Sequence, residues 1–179
     1  MANYSVTLNF FLPDKIVEAL KEVKMPRSLA FDWRAPGLCH CTVKAIALIH
    51  EPPCERHLSD WIEKTHSILD AQAAFKVNIR GVSEFPGFPY AVIHSEELIA
   101  LHIKLFDVLP SSQPHFEGMN YISHASLGIT EEVAFTTYDP ESSFGVFEVQ
   151  EIQLVVWNAD KLWEPKIVHR FSLNLTKFA

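Results

Sequence analysis

The sequence predicts an α+β protein built mainly on antiparallel sheet. Two observations carry this. Segments with the two-residue period of a strand alternate with segments at helical spacing, in the order strand, helix, strand, helix, strand, strand, helix, strand, strand, strand. The chain beyond residue 118 is then almost entirely strand, with no helix between successive strands to make parallel crossovers.

The elements follow in order. Tyr4 to Leu12 reads as a strand, which Pro13 ends, and Asp14 is placed to cap a short helix carrying Ile16, Val17, Leu20 and Val23 on one face. A second strand runs from about Cys39 to Leu48. After the Pro52-Pro53 turn, Leu58, Trp61, Ile62, Thr65, Ile68 and Leu69 recur at helical spacing, so Arg56 to Ala71 is an amphipathic helix. Phe75, Val77 and Ile79 alternate with Lys76, Asn78 and Arg80 as in a half-buried strand, and Tyr90 to His94 is another. Ser95 is a natural N-cap, with Glu96 and Glu97 favourable at the positive end of a helix that reaches Leu109. Pro110 to Gly118 gathers Pro, Ser and Gly and reads as a linker. Tyr121 to Ile129, Val146 to Trp157 and Ile167 to Leu173 are strands rich in β-branched and aromatic residues.

Composition narrows the function. The 179 residues, 48% hydrophobic and 21% charged, suit one globular unit, so residues 1–179 are expected to form a single domain. No run approaches the roughly 20 apolar residues of a membrane span, and the start MANYSVTLNFFLP lacks the pattern of a signal peptide, so a cytoplasmic protein that binds no membrane is expected. Cys39, Cys41 and Cys54 are expected to be reduced thiols. A net charge of −7 argues against tight binding of long nucleic acid, which needs many cations on its phosphates, and leaves room for a small anion in a local pocket.

One internal echo carries chemistry. His40-Cys41-Thr42-Val43 and His124-Ala125-Ser126-Leu127 are two copies of His-x-Thr/Ser-apolar, each inside a predicted strand. Side chains alternate across a strand, so each copy presents an imidazole and a hydroxyl on one face, with Cys41 and Ala125 turned away. Two such strands facing one another suit in-line displacement at phosphorus. One neutral imidazole takes a proton from the attacking oxygen and the other, protonated, gives one to the leaving oxygen. Histidine populates both forms near neutrality, and the hydroxyls of Thr42 and Ser126 can donate to the phosphate oxygens. The chemistry needs no metal or other cofactor.

On these residues the chain resembles the two-histidine phosphoesterase superfamily, which includes the bacterial 2′-5′ RNA ligase and 2′,3′-cyclic phosphodiesterase proteins. The resemblance extends over nearly the whole chain: a first strand ending in Phe-Leu-Pro, a lead-in at Trp33-Arg34-Ala35-Pro36, the first motif, a Gly- and Pro-containing loop within Phe75 to Phe88, and an aromatic lead-in from Phe116 to the second motif. It implies two α+β lobes related by a pseudo-twofold axis, both motifs facing a central cleft, and a metal-independent phosphodiesterase acting on 2′,3′-cyclic phosphates or 2′-5′ linkages of nucleotides or RNA ends. His40 and His124 are then catalytic, with His124 activating water and His40 protonating the leaving ribose oxygen, and Thr42 and Ser126 hold the phosphate. The expected partner is a small nucleotide or RNA-end substrate, bound by a monomer. Two departures stand out: Ser123 precedes the second His where the family often has Pro, and Ile129 stands where it often has Arg. The missing Arg is also compatible with a nucleotide-binding module of the same cleft that does no catalysis.

Candidate substrate contacts are Lys44, which alternation sets on the His40 and Thr42 face, the lead-in residue Arg34, and the loop aromatics Phe85 and Tyr90, any of which could instead be packing or rim residues. Cys39, Cys41, Cys54 and His57 near His40 suggest zinc, but alternation puts Cys39 and Cys41 on the opposite face and no second pair completes a tetrahedral set, so no metal is expected. The other histidines lack a hydroxyl two places on, except His57-Leu58-Ser59, which falls on a helix where that spacing shares no face.

Overall fold

A computed structural model describes residues 3–23, 31–33, 36–85, 88–130, 140–161 and 164–174. The elements run β1 (Tyr4–Phe11), α1 (Asp14–Lys21), β2 (Phe31–Trp33), β3 (His40–Ile49), α2 (Glu55–Leu69), β4 (Phe75–Phe85), β5 (Phe88–His94), α3 (Glu96–Val108), β6 (His124–Ser126), β7 (Gly128–Thr130), β8 (Ser143–Val149), β9 (Glu151–Asn158) and β10 (Pro165–Ser172). Eight strands form one sheet in the order β10-β9-β1-β3-β6-β5-β4-β8, and every pairing between them is antiparallel. The α+β class is as expected. The two lobes are halves of this sheet, joined between β3 and β6.

One face of the sheet forms the core. On β1, Val6, Leu8 and Phe10 point inward with Leu154 and Val156 of β9, and the helices cover them with Ile16, Val17 and Leu20 of α1, Trp61 and Leu69 of α2, and Leu98, Leu101 and Leu105 of α3. Each such side chain contributes about 1.5–3 kcal/mol on burial. Ser95 caps α3, its Oγ accepting the Leu98 N–H at 3.3 Å. Asp14 is the first residue of α1 and does not cap it; Pro13 holds the N-cap position with no side-chain bond. Gly145 of β8 has φ +125°, and a Cβ there would lie 2.8 Å from Ile16 Cδ1, so glycine lets α1 close on the sheet edge.

Two long strands of the sequence reading divide. Tyr121 to Ile129 becomes β6 and β7, and β7 leaves the main sheet to pair with β2. Val146 to Trp157 breaks at Gln150 into β8, at the edge of the second lobe, and β9, inside the first. Hydrophobic period is the same on both sides of Gln150, so it does not report a change of lobe. Among the described residues, no helix is long and apolar enough to cross a membrane.

Candidate active site

The two motifs meet where the lobes meet. Cys41 pairs with Ala125 in the antiparallel β3–β6 contact. Both side chains are fully buried on the core face, so their neighbours His40, Thr42, His124 and Ser126 all project onto the opposite, concave face. Antiparallel register sets His40 beside Ser126 and Thr42 beside His124. The register thus sets each histidine opposite the hydroxyl residue of the other copy, with an approximate local twofold through the Cys41 and Ala125 pair.

Matching hydrogen bonds fix both rings. His40 Nδ1 donates to the Leu38 carbonyl at 2.8 Å, and His124 Nδ1 donates to the Ile122 carbonyl at 2.7 Å. A neutral imidazole that donates through Nδ1 keeps its Nε2 lone pair as the acceptor, so in both residues Nε2 is the proton-exchanging atom. Among the described residues, the hydroxyls of Thr42 and Ser126 have no protein partner, and both residues are half-buried.

Aromatic rings bracket the two imidazoles differently. The Trp157 indole stacks on His40, with centroids 4.6 Å apart and planes at 27°, and Phe11 lies 5.7 Å away. The indole Nε1–H donates to Thr7 Oγ1 at 2.9 Å, and Asn9 Nδ2 donates to the same oxygen at 2.8 Å. His124 meets Phe85 at 5.0 Å and Tyr90 at 5.3 Å, both at steep angles. Phe85 and Tyr90 therefore sit beside a motif histidine; Tyr90 is buried and Phe85 half-exposed. Trp157 and Asn9 were missed in the sequence. Alternation along β9, with Ile152, Leu154 and Val156 buried as the core set, is the signal that turns Trp157 to the other face.

Lys44 departs from its expected place. Leu8 pairs with Lys44 and Asn9 with Thr42, leaving Val43 as an extra residue in β3. This bulge breaks alternation, and Lys44 turns to the helix side, fully buried, 2.6 Å from Glu117 Oε2 and 5.4 Å from the Phe106 ring centroid. It is part of the core and does not share the His40 and Thr42 face. Burial lowers its pKa, and Glu117 opposes that only in part. Arg34 lies outside the described residues.

The buried pair anchors the segment read as a linker. Glu117 Oε1 accepts the Ala45 N–H at 2.8 Å, and Ser111 Oγ donates to Oε2. Gly118, at φ +63°, follows and gives its N–H to His102 Nε2 at 2.8 Å, while His102 Nδ1 donates to the Val43 carbonyl at 2.7 Å. His102 stacks on Tyr121 with centroids 3.9 Å apart, and the Tyr121 hydroxyl donates to the Thr42 carbonyl at 2.9 Å. Residues 111–121 thus tie the approach to the second motif onto the strand of the first. Ser123 ties the same approach to β5 instead, its Oγ donating to the Ile93 carbonyl at 2.6 Å, a bond that proline there would lack.

The Cys39 and Cys41 thiols are buried and suit packing, and Cys54 is exposed. Burial pushes the Cys41 thiol up to about 12, so at neutral pH it is not the thiolate that a metal needs, and it lies against Tyr121 on the side away from His40. Among the described residues, no group of three or more His, Cys, Asp or Glu side chains is placed to hold a metal ion.

No family model and no curated protein matches the chain. Solved structures do. TT0787 of Thermus thermophilus superposes with TM-score 0.68 at 19% identity, over 96% of this chain and 99% of that one. Escherichia coli LigT complexed with ATP superposes with TM-score 0.71 at 15% identity, over 97% and 99%. Kluyveromyces marxianus Usb1 with uridine monophosphate does so with TM-score 0.54 at 10% identity, over 96% and 99%. The chain therefore has the curled, antiparallel fold of the two-histidine phosphoesterases, the superfamily of LigT, TT0787 and Usb1.

Proposed function

We propose that the protein is a metal-independent phosphodiesterase that opens 2′,3′-cyclic phosphates, or cleaves 2′-5′ linkages, of nucleotides or RNA ends. The observation that carries the reading is the juxtaposition of His40, Thr42, His124 and Ser126 on one face of the β3–β6 join, with both Nδ1 atoms committed to backbone carbonyls. A phosphate over this join meets a hydroxyl donor and an imidazole Nε2 from each strand. In hydrolysis, the neutral imidazole takes a proton from water as the water oxygen bonds to phosphorus. The bond from phosphorus to one ribose oxygen breaks, and the imidazolium gives that oxygen its proton. Thr42 and Ser126 donate to the non-bridging oxygens and hold them as charge shifts.

Structures similar to this one have been crystallised with nucleotides and with phosphate, LigT with NADP+, with 3′-AMP and with phosphate, which supports a small phosphorylated ligand. The test is turnover of a panel of 2′,3′-cyclic mononucleotides, cyclic-phosphate RNA ends and 2′-5′ dinucleotides, with and without excess EDTA. Ring opening to a single monoester, unaffected by EDTA and lost in His40→Ala and His124→Ala, is the expected result. Activity abolished by EDTA and restored by a divalent cation overturns the mechanism. Nucleotide binding by calorimetry without turnover of any panel member replaces the reading with a binding module.

A further inference from the structure

We propose that His66 and His169 form a chelate for one divalent transition-metal cation, Zn²⁺, Ni²⁺ or Cu²⁺, on the helix side of the sheet, and that the cation clips α2 to the edge strand β10. The two residues are 103 positions apart in the chain, and their Nε2 atoms lie 3.1 Å from each other. Two imidazole nitrogens, each about 2.0–2.1 Å from one metal, stand about 2.9 Å apart at a right angle and about 3.3 Å apart at the tetrahedral angle. The observed separation falls between these, so the pair is already at chelating distance. Imidazole suits these cations, whereas Mg²⁺ and Ca²⁺ take oxygen ligands.

Each side chain is held as a ligand should be. His66 sits in the last turn of α2, and its Nδ1 is 2.8 Å from Oδ1 of Asp70, four residues on along the same helix face. A carboxylate only accepts, so Nδ1 carries the proton and the Nε2 lone pair is left for a metal. This is the carboxylate–histidine arrangement that fixes a ligating ring and raises its basicity. His169 lies opposite the core residue Leu154 and two residues before Phe171, so it shares the helix-side face of β10 with that buried ring. Phe171 lies against both imidazoles, with centroids 4.9 Å from His66 and 4.6 Å from His169. The His66 side chain is 41% exposed, so solvent can complete the coordination. Two side chains and solvent make a chelate, which is compatible with there being no group of three or more such ligands among the described residues. A cation here binds the folded pair, brought together from distant parts of the chain, and so stabilises the fold. The motif histidines project from the opposite face of the sheet, so turnover does not depend on it.

Calorimetry and thermal unfolding of the full chain, first stripped with EDTA and then freed of it, test this with ZnCl₂, NiCl₂ and MgCl₂. Zn²⁺ and Ni²⁺ should each bind at one equivalent and raise Tm, and Mg²⁺ should do neither. His66→Gln and His169→Gln keep a side chain that can hydrogen-bond to the remaining imidazole, so the metal-free variants should unfold close to the parent while the response to Zn²⁺ is lost. Asp70→Ala spares both ligands and should weaken Zn²⁺ about 10–100-fold, the usual effect of removing the group that orients a ligating histidine. In NMR, substoichiometric Cu²⁺ should broaden the imidazole signals of His66 and His169 before those of His40 and His124. No rise in Tm with Zn²⁺ or Ni²⁺ would reduce the pair to an ordinary hydrogen bond and overturn the proposal. An equal rise in the two glutamine variants, or earlier broadening at the motif histidines, would put the cation elsewhere and overturn it as well.

Discussion

Cys41 and Ala125 face each other across the β3–β6 join with both side chains fully buried, and this one pair sets the relative position of the two histidines. Both histidines lie on one face of neighbouring strands, and in the proposed reaction one turnover uses both. The kcat/KM of the parent should then be bell-shaped in pH. His40→Ala and His124→Ala should each lower it by about 10²–10⁴, and each variant should lose one limb of the profile. A single-ionisation profile in the parent contradicts shared acid–base catalysis.

Thr42→Ala and Ser126→Ala should act on the phosphate rather than on the proton. Each removes a donor from the concave face, so kcat/KM should fall while the two limbs of the pH profile stay in place. Thr42→Ser keeps the hydroxyl and should recover most of the loss. Displaced limbs in Thr42→Ala would show that the hydroxyl acts on the imidazoles.

Lys44→Met should be a stability variant. Removing the cation leaves Glu117 as a buried, partly uncompensated charge, which costs about 3–5 kcal/mol. Urea unfolding monitored by tryptophan fluorescence measures this. If Lys44 instead touched substrate, the variant would unfold as the parent does and raise KM alone.

Acid should weaken the fold through His102. Burial lowers its pKa below the ordinary 6.5, so between the two values the unfolded chain binds a proton that the folded chain does not. Stability contributed this way is present above about pH 6.5 and declines as pH falls below it. His169, lowered by burial and by its neighbour His66, adds a trend of the same sign. His102→Gln should be less stable at pH 7 but show a shallower loss between pH 7 and pH 5 in thermal unfolding. An equal slope in parent and variant would remove His102 as a cause.

Most of the strands, the three helices and the shared face of His40 with Thr42 were legible in the sequence because each follows from local period and local chemistry, whereas the short strand β2 was not foreseen. Ser95 caps as its side chain predicts, and His40 and Thr42 share a face because nothing interrupts the strand between them. Lys44 was misread because a bulge at Val43 is set by pairing with β1, and pairing is not local. Glu117 looked like part of a polar loop, and its partner is a lysine whose burial that same bulge creates. Trp157 was legible as a strand residue, but its place over His40 depends on β9 joining β1, a topology that no window of sequence contains.

The position of β9 also bears on the order in which the site comes into being during synthesis. Strands β1 and β3 leave the ribosome early, yet their half of the sheet lacks β9 and β10 until residues 151–172 have been made. The other half, β4, β5, β6 and β8, is supplied in the interval. Contacts between β1 and β9 are among the most distant in the chain, and such closures form slowly. The half-sheet that holds His124 can therefore assemble first, while the edge of β1 stays unpaired and prone to wrong partners. His40 acquires its indole only when β9 docks, after every strand of the other half-sheet has been made.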